Sequence, residues 1–399
     1  MASTRRTLAY GLTANVVILG VVSLFTDISS EMILPILPFF LINVLGANAL
    51  IVGLEEGFSD SVVSFMKIVS GRFSDAAGRR KRFVGAGYAL STAMKVLFPF
   101  AQSWPQFIGL RVIERTGKGV RDAPRDALLT ESTPPETRGK AFGFHRSMDT
   151  TGAILGPIVT LVLLGTVAAS LKTVAEQYRL VLLLAAIPAV LSVLIVLLVR
   201  EPQRAPVPTQ TLRVAFRGIP RPLLTFIAIA SLFSFADFSY AFLLLRAGQT
   251  NGTTVVIFLY VLYNIVYATH AFPAGILSDR VGRKPVVLIG YVAFIGMASL
   301  LVFSDALFVL VIAFILYGLE YGMAEGTQRA LVADFAPPDI KATVLGAYHT
   351  SVGVVKLASG LVAGFLWVAV APTATFAFGA VTATVAAVAL SMWSPTART

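Results

Sequence analysis

The 399-residue sequence has no cysteine and few charged residues. Without cysteine, a disulfide framework and a thiolate metal site are both excluded. Asp, Glu, Lys and Arg together make up 13% of the chain, whereas 56% of its residues are hydrophobic. Because a soluble protein of this size covers its surface with charge, the balance indicates a chain that is solvated largely by lipid.

The motifs of several enzyme classes are also missing. The phosphate-binding pattern Gly-x-x-x-x-Gly-Lys-Ser/Thr does not occur, and neither a Ser-His-Asp arrangement nor a Gly-x-Ser-x-Gly elbow is found. The three histidines, His145, His270 and His349, lie far apart and lack the spacing of metal ligands. The sequence therefore predicts a protein that is not an enzyme, is not driven by ATP, and has no cofactor and no bound metal.

Long apolar runs separated by short polar connections fill the sequence. Each run has about 20 residues, the length that crosses a bilayer as a helix, and none alternates in polarity as a membrane β-strand does. Twelve spans are predicted, at 11–43, 49–73, 82–102, 104–132, 137–167, 178–199, 223–247, 253–278, 285–303, 305–334, 340–371 and 373–393. We expect an all-α membrane protein of twelve transmembrane helices in two six-helix bundles.

The net charge of +11 is unevenly distributed along these spans. Lys and Arg concentrate in the loops of one side, which hold the run Arg79 to Arg82, and are sparse in the loops of the other. Positive charge marks the cytoplasmic side, so both termini are predicted to be cytoplasmic. The basic excess is thus a topology signal, which argues against a nucleic-acid partner and predicts a multi-pass protein of the inner (plasma) membrane.

An internal repeat relates the two halves. The stretch from Gly71 to Lys81 recurs from Gly275 to Lys284, with Asp75 and Asp279 separated by 204 positions, and Pro134-Pro135-Glu136 recurs 203 positions later as Pro337-Pro338-Asp339. Nearly equal spacing in the same order indicates a duplication with parallel orientation. The predicted domains are an N-terminal bundle (1–199), a cytoplasmic linker (200–222) and a C-terminal bundle (223–399).

The repeated loop Gly-x-x-x-Asp-x-x-Gly-Arg-Arg/Lys resembles the signature loop of the major facilitator superfamily. Within that superfamily the chain is most similar to the twelve-helix drug/proton antiporters. That similarity rests on Arg115-Thr116-Gly117-Lys118-Gly119 and on a fifth-helix pattern, although Thr160 and Leu161 replace the usual trailing glycines. The fifth-helix residues are Gly143, Gly152, Gly156 and Pro157.

The resemblance implies that the repeated loop is a cytoplasmic latch between the halves. Its residues are Gly71, Asp75, Gly78, Arg79, Asp279, Gly282 and Arg283. The carboxylates can accept hydrogen bonds from a helix N-terminus or pair with Arg, and the glycines permit a tight turn. An alternative for some cations of the run Arg79 to Arg82 is simple anchoring to anionic lipid.

Ionisable residues inside predicted spans are the main candidates for the mechanism, because each costs about 2.5–3.5 kcal/mol on insertion scales unless it is paired or hydrated. Asp27 and Glu31 are four residues apart and share a helix face. The candidates for substrate binding or proton coupling are Asp27, Glu31, Asp60, Glu114, Arg115, Lys118, Asp149, Asp237 and Glu320. A change in the distance from Asp to Arg during alternating access would shift proton affinity. The alternative is that these residues form static ion pairs that hold helices together.

These features predict a secondary active transporter that works by alternating access and exports small amphiphilic compounds by proton antiport. Export of organic anions, favoured by the stripe Arg111, Arg115 and Lys118, or of divalent metal ions is the alternative, and lipid flipping is a more distant one. The expected partners are a small-molecule substrate, protons and the lipid bilayer, and the protein is expected to be monomeric.

Overall fold

The computed structural model describes residues 12–201, 219–337 and 341–394, with the side chains of 341–343 excepted. Most of the predicted linker, residues 202–218, lies outside this range, as do Pro338 and Asp339 of the repeat. Within the described residues the chain is built of α-helices, with short 3₁₀ and π segments and no strand. The prediction of an all-α fold is confirmed.

The helices are α1 (Ala14–Ile33), α2 (Leu37–Phe39), α3 (Ala49–Ala77), α4 (Arg80–Leu97), α5 (Trp104–Glu131), α6 (Arg138–Gly165), α7 (Val174–Val196), α8 (Arg221–Ala236), α9 (Tyr240–Gly248), α10 (Thr253–Val281), α11 (Arg283–Phe303), α12 (Leu307–Phe335), α13 (Lys341–Ala369) and α14 (Pro372–Met392). A π-helical turn, Phe40–Val44, continues α2.

Ten helical stretches of the described chain are long and apolar enough to cross a membrane. The helices α3 and α5 have sufficient length, at 29 and 28 residues, but each carries ionisable residues throughout. If α1 with α2, and α8 with α9, are each counted as one interrupted span, the described residues form twelve helical segments. A span can carry such charge only where it faces protein or water instead of lipid.

The duplication is visible in where the helices begin and end. Arg80 and Arg283 begin α4 and α11, and Trp104 and Leu307 begin α5 and α12, in each case 203 positions apart. The first span of each half is also interrupted at matching places, after Ile33 and after Ala236. The repeat found in the sequence is therefore a repeat of helix boundaries.

The chain divides into two compact units. Of the described residues, the first comprises 12–46 and 62–201, and the second comprises 47–61, 219–337 and 341–394. In the first unit α1 packs on α6 and α7, and α4 packs on α5 and α7; in the second, α11 packs on α12 and α14, and α10 packs on α12. The predicted domain bounds stay a prediction. They assign residues 47–61 to the N-terminal bundle, whereas these residues group with the second unit.

The helix α3 contributes to both units through small residues. Within the second unit, Gly53 packs against the backbone of Gly360, and Gly57 packs against the backbone of Leu357. Within the first, the Ser70 hydroxyl donates to the Gly119 carbonyl over 3.0 Å. Glycine at such contacts lets helix backbones approach closely without a side chain between them.

Candidate functional site

The interior of the first unit contains a group of ionisable side chains on α5. Glu114 is 1% exposed and lies 3.1 Å from an Nη of Arg111 and 3.6 Å from Nε of Arg115. Arg111 and Arg115 are also buried. The predicted residues Glu114 and Arg115 are thus brought together as neighbours, in a place where unpaired charge would be strongly unfavourable.

Two further buried cations join this group and were not among the predicted site residues. The Lys95 ammonium on α4 donates to the hydroxyls of Ser29 and Ser30 on α1, over 3.0 and 2.8 Å. The Arg121 guanidinium donates to Ser91 over 3.0 Å and lies 4.4 Å from the centre of the Tyr88 ring. Both residues interact electrostatically with Glu114. Lys95 could have been recognised from the sequence, because it is an ionisable residue within an apolar span.

The carboxylate face of α1 packs closely against α6. A Cβ added to Gly152 would lie 2.8 Å from the Asp27 Cβ, and one added to Gly156 would lie 2.6 Å from the Glu31 Cβ. Pro157 is buried within α6, whereas a Cβ added to Gly143 would have no atom within 4 Å. Of the fifth-helix pattern, Gly152 and Gly156 therefore provide the close contact with α1 and Gly143 does not.

Asp27 and Asp149 lie in one electrostatic neighbourhood. Asp149 accepts a hydrogen bond from the Ser23 hydroxyl and lies 3.4 Å from Nδ1 of His145. Asp27, which is half-buried, interacts with Asp149 and Glu31 and with the cations Lys118 and Arg121. The structure thus brings carboxylates and cations of α1, α5 and α6 together around Asp27.

Lys118 also interacts with a second carboxylate, Asp122, which was not among the predicted site residues. Asp122 is buried and lies 3.0 Å from the Lys67 ammonium and 3.7 Å from the Arg125 guanidinium. Lys118 interacts electrostatically with both Asp122 and Asp27. It therefore interacts with carboxylates on two helices, α1 and α5.

The second unit has its own buried charges at an interrupted helix. Asp237 ends α8, and the chain resumes as α9 at Tyr240. The Asp237 carboxylate, 6% exposed as a residue, accepts a hydrogen bond from the Lys356 ammonium over 3.1 Å. Broken helices in membranes leave backbone groups for binding, so a buried ion pair at such a break is a candidate site.

Asp60 and Glu320 lie in the electrostatic surroundings of this pair. Asp60, on the part of α3 that groups with the second unit, interacts with Lys356 and Asp237. Glu320 is 3% exposed, and its Oε2 has no hydrogen-bond partner among the described residues. The candidate residues thus form two separate sets, one in each unit, and Asp60 falls in the second set.

A cluster of tyrosines adjoins the second set. Six of the eleven tyrosines form a chain of ring contacts with centroid distances of 5.2–6.5 Å, namely Tyr240, Tyr260, Tyr263, Tyr267, Tyr317 and Tyr321. The Tyr240 hydroxyl donates to Glu56 over 3.1 Å, and Lys356 lies 6.0 Å from the Tyr321 ring centre. We call these six residues the tyrosine cluster.

The two repeated loops carry matching ion-pair networks. In the first unit Arg80 lies 2.7 Å from Asp75 and 2.9 Å from Glu131, and so joins the ends of α3, α4 and α5. Gly78 has φ of 62° and forms the turn between α3 and α4, while a Cβ added to Gly71 would lie 3.3 Å from the Ala123 Cβ. Positive φ is readily adopted by glycine and strained for other residues.

In the second unit Arg283 lies 2.5 Å from Asp279 and 3.0 Å from Asp334, and the turn is made by Gly282 with φ of 95°. Arg80, and not the predicted Arg79, is therefore the structural counterpart of Arg283. Arg79 is an additional residue that precedes α4. Glu131 and Asp334 were missed, although their equal spacing of 203 positions was visible in the sequence.

Comparison with known proteins gives the family. The model of the Major Facilitator Superfamily matches residues 19–252 and 224–399. The chain belongs to the Major Facilitator Superfamily. Members of this superfamily are transporters, so the protein is a multi-pass membrane transporter of small molecules and not an enzyme.

Individual relatives of this superfamily member support the same assignment. An uncharacterized MFS-type transporter of Methanocaldococcus jannaschii is 38% identical over 95% of this chain and 94% of its own length. The solved structure of a point mutant of the nucleoside transporter NupG covers 96% of this chain and 100% of its own, with a TM-score of 0.79 and 15% identity, which shows the shared fold. The multidrug resistance protein MdtH of Aeromonas hydrophila is 28% identical over 34% of each chain.

Proposed function

We propose that the protein is a proton-coupled secondary transporter that exports small amphiphilic compounds by alternating access. The observation that carries this proposal is the position of Asp27, which is half-buried among the carboxylates Asp149 and Glu31 and the cations Lys118 and Arg121. The two kinds of neighbour act on the proton affinity of Asp27 in opposite directions. A small movement of α1 against α5 and α6 would therefore load or release a proton.

The second unit would provide the substrate surface. The tyrosine cluster combines apolar ring faces with hydroxyl groups, and Glu56, Asp237 and Glu320 add negative charge close to it. Such a surface suits a molecule that has both an apolar body and a polar or cationic group. The partial match to MdtH, whose name refers to multidrug resistance, agrees with export of such compounds.

Transport in proteoliposomes under an imposed pH gradient tests the coupling. The expected result is gradient-driven accumulation of a fluorescent lipophilic cation such as ethidium by the wild type. Accumulation by Asp27→Asn should be at least about a hundredfold slower, the lower end of the loss expected for removal of a proton-transfer group. Substrate exchange without a gradient should persist in the variant, because exchange needs no net proton movement. Glu136→Gln, which changes an exposed carboxylate of the same unit, is the matched control and should transport normally. Full gradient-driven transport by Asp27→Asn would exclude this residue from coupling.

A second candidate function is export of organic anions. The observation in its favour is the group of buried cations: Nε of Arg115 and Nε of Arg121 lack hydrogen-bond partners among the described residues, and the Lys95 ammonium donates only to hydroxyls there. Buried donors of this kind would be satisfied by a carboxylate or phosphate of a substrate. The metal-export alternative has no such support, since no group of three or more metal-ligating side chains occurs among the described residues.

A ligand screen by thermal unfolding separates these candidates. Lipophilic cations, organic phosphates and Ni²⁺ or Fe²⁺ are added in turn, and a ligand that binds the folded protein raises its Tm. Protection by cations that is weakened in Tyr263→Ala supports the amphiphile proposal. Protection by organic phosphates that is weakened in Arg115→Gln supports the anion candidate.

A further inference from the structure

A cavity lies in the first unit where α4 begins and α7 ends. Its volume is about 490 Å³, and its walls are formed by Arg79, Lys81, Arg82, Gly85, Val196, Leu197 and Glu201. These helix ends are on the side that the loop charges predict to be cytoplasmic. The cavity combines three cationic side chains and one carboxylate with apolar groups at the end of a membrane helix.

One of the three cations, Lys81, already makes a hydrogen bond within the unit. The Lys81 ammonium donates to the Leu197 carbonyl over 2.8 Å, and the Lys81 backbone N–H donates to the Glu201 carboxylate over 2.9 Å. Lysine in this position caps the last carbonyls of α7. The side chains of Arg79 and Arg82 are exposed and make no hydrogen bond or ion pair within the described part of the chain.

The corresponding turn of the second unit shows which of these basic residues the fold requires. Lys284 donates to the carbonyls of Ser391 and Trp393 over 2.8 and 2.7 Å, as Lys81 does to Leu197. Pro285 stands where the first unit has Arg82, and no residue corresponds to the additional Arg79. The second unit thus has the capping lysine but neither arginine. Arg79 and Arg82 are therefore not needed to build the turn.

We propose that this cavity binds the headgroup of an anionic phospholipid of the cytoplasmic leaflet. The guanidinium groups of Arg79 and Arg82 would hold the phosphate by charge-assisted hydrogen bonds. The apolar surface of Leu197 and Leu198, which are 61% and 65% exposed, would contact the acyl chains. Basic pockets between membrane helices on this side are suited to anionic lipids.

The cavity wall contains one carboxylate, Glu201, which already accepts a hydrogen bond from the Lys81 backbone N–H. The sequence that follows Glu201 contains Arg204, Arg213 and Arg217 and no acidic residue before Asp237. Like charges repel, so this segment would not neutralise the two arginines. An external anion satisfies both the charge and the apolar wall.

Lipid binding to the purified full-length protein tests the proposal. In nanodiscs of phosphatidylcholine, replacement of about one fifth of the lipid by phosphatidylglycerol should raise the Tm of the wild type, and native mass spectrometry should detect retained phosphatidylglycerol. The double variant Arg79→Gln/Arg82→Gln should bind this lipid about 30-fold more weakly, the loss expected for two arginines at the membrane surface.

A second variant keeps every charge and fills the cavity. Gly85→Leu is expected to fold, because nothing lies within 4 Å of a Cβ at Gly85, and it should lose the Tm rise as the double variant does. Arg280→Gln, in the equivalent loop of the second unit, is the control and should respond to phosphatidylglycerol like the wild type. Inorganic phosphate alone should give no Tm rise. The proposal is overturned if both cavity variants respond like the wild type, if Arg280→Gln loses the response equally, or if free phosphate reproduces it.

Discussion

Arg80 and Arg283 occupy the same position in their units and make the same set of bonds. Each binds an aspartate at the end of the preceding helix, an acidic residue at the end of the following long helix, and a serine, Ser74 or Ser278. Three helix ends are held together by one guanidinium, whose planar fork can bind several acceptors at once. The network lies within each unit and therefore stabilises that unit whatever its role in a latch.

Substitution of Arg80 should reveal this role at the level of one residue. Arg80→Gln is expected to lower the free energy of unfolding by about 1–3 kcal/mol, less than for a fully buried pair because Asp75 is 47% exposed in its side chain. The measurement is thermal unfolding of the purified protein in detergent. Arg79→Gln removes the same charge one residue earlier and should leave the Tm unchanged. Equal loss of Tm in both variants would contradict the assignment of the network to Arg80.

At the scale of helices, α1 and α6 approach each other closely beside the candidate coupling residues. Gly152 and Gly156 bring the two backbones together beside Asp27 and Glu31, and the Thr160 hydroxyl donates to the Met32 carbonyl over 2.8 Å one turn further. Because these residues are spaced by four positions, they lie on one face of α6. Small and hydroxyl residues on one face are the usual means of close helix packing in membranes.

A side chain at this contact should separate the helices. Gly152→Val is expected to destabilise the protein by about 1–3 kcal/mol or more, since its Cβ would overlap the Asp27 Cβ and the Leu24 carbonyl, and helix separation should also reduce proton-coupled transport. Thermal unfolding and the proteoliposome assay measure the two effects. Gly143→Val on the same helix meets open space and should change the Tm little. A Gly152→Val protein with wild-type Tm and transport would show that the close contact is dispensable.

At the same scale, the first span of each half is interrupted, after α1 and after α8. Pro35 follows α1, where a missing N–H accounts for the break, whereas Asp237 follows α8 without a proline at the break. In the second unit the break places a carboxylate beside Lys356. The same interruption thus follows from a proline in one half and presents a buried ion pair in the other.

At the scale of the whole molecule, a duplicated arrangement of helices carries two different sets of ionisable residues. The first unit is rich in buried cations on α4 and α5, and the second combines the Asp237–Lys356 pair, Glu320 and the tyrosine cluster. The second unit thus carries buried charge beside its aromatic side chains. Under the proposed mechanism, one half would manage protons while the other contacts substrate.

The predicted orientation can be tested directly because the chain has no cysteine. Single cysteines at Lys172 and at Glu136 lie in exposed loops at opposite ends of α6. With both termini in the cytoplasm, a membrane-impermeant maleimide should label Lys172→Cys in intact cells and Glu136→Cys only after permeabilisation. The cysteine-free wild type is the control. The opposite labelling pattern would invert the topology.

The sequence alone determined the all-α class, the duplication, the family and the presence of ionisable residues within spans. Hydrophobic runs of membrane length and a repeated loop are local features, so they can be read along the chain. Asp75, Asp279 and the turn glycines Gly78 and Gly282 were found for the same reason. The spacing of the loop motif also made Arg79 the apparent equivalent of Arg283.

Only the tertiary structure decided which of these residues meet. Arg80 replaces Arg79 because α4 begins one residue later than the motif suggests, which aligns its guanidinium with Asp75 and Glu131. Asp60 groups with Lys356, almost 300 positions away, because the first half of α3 packs in the second unit. Lys95 donates to hydroxyls on α1, and the six tyrosines of the tyrosine cluster bring α9, α10 and α12 into contact. Such pairings depend on how helices pack across long stretches of sequence, which composition and periodicity do not encode.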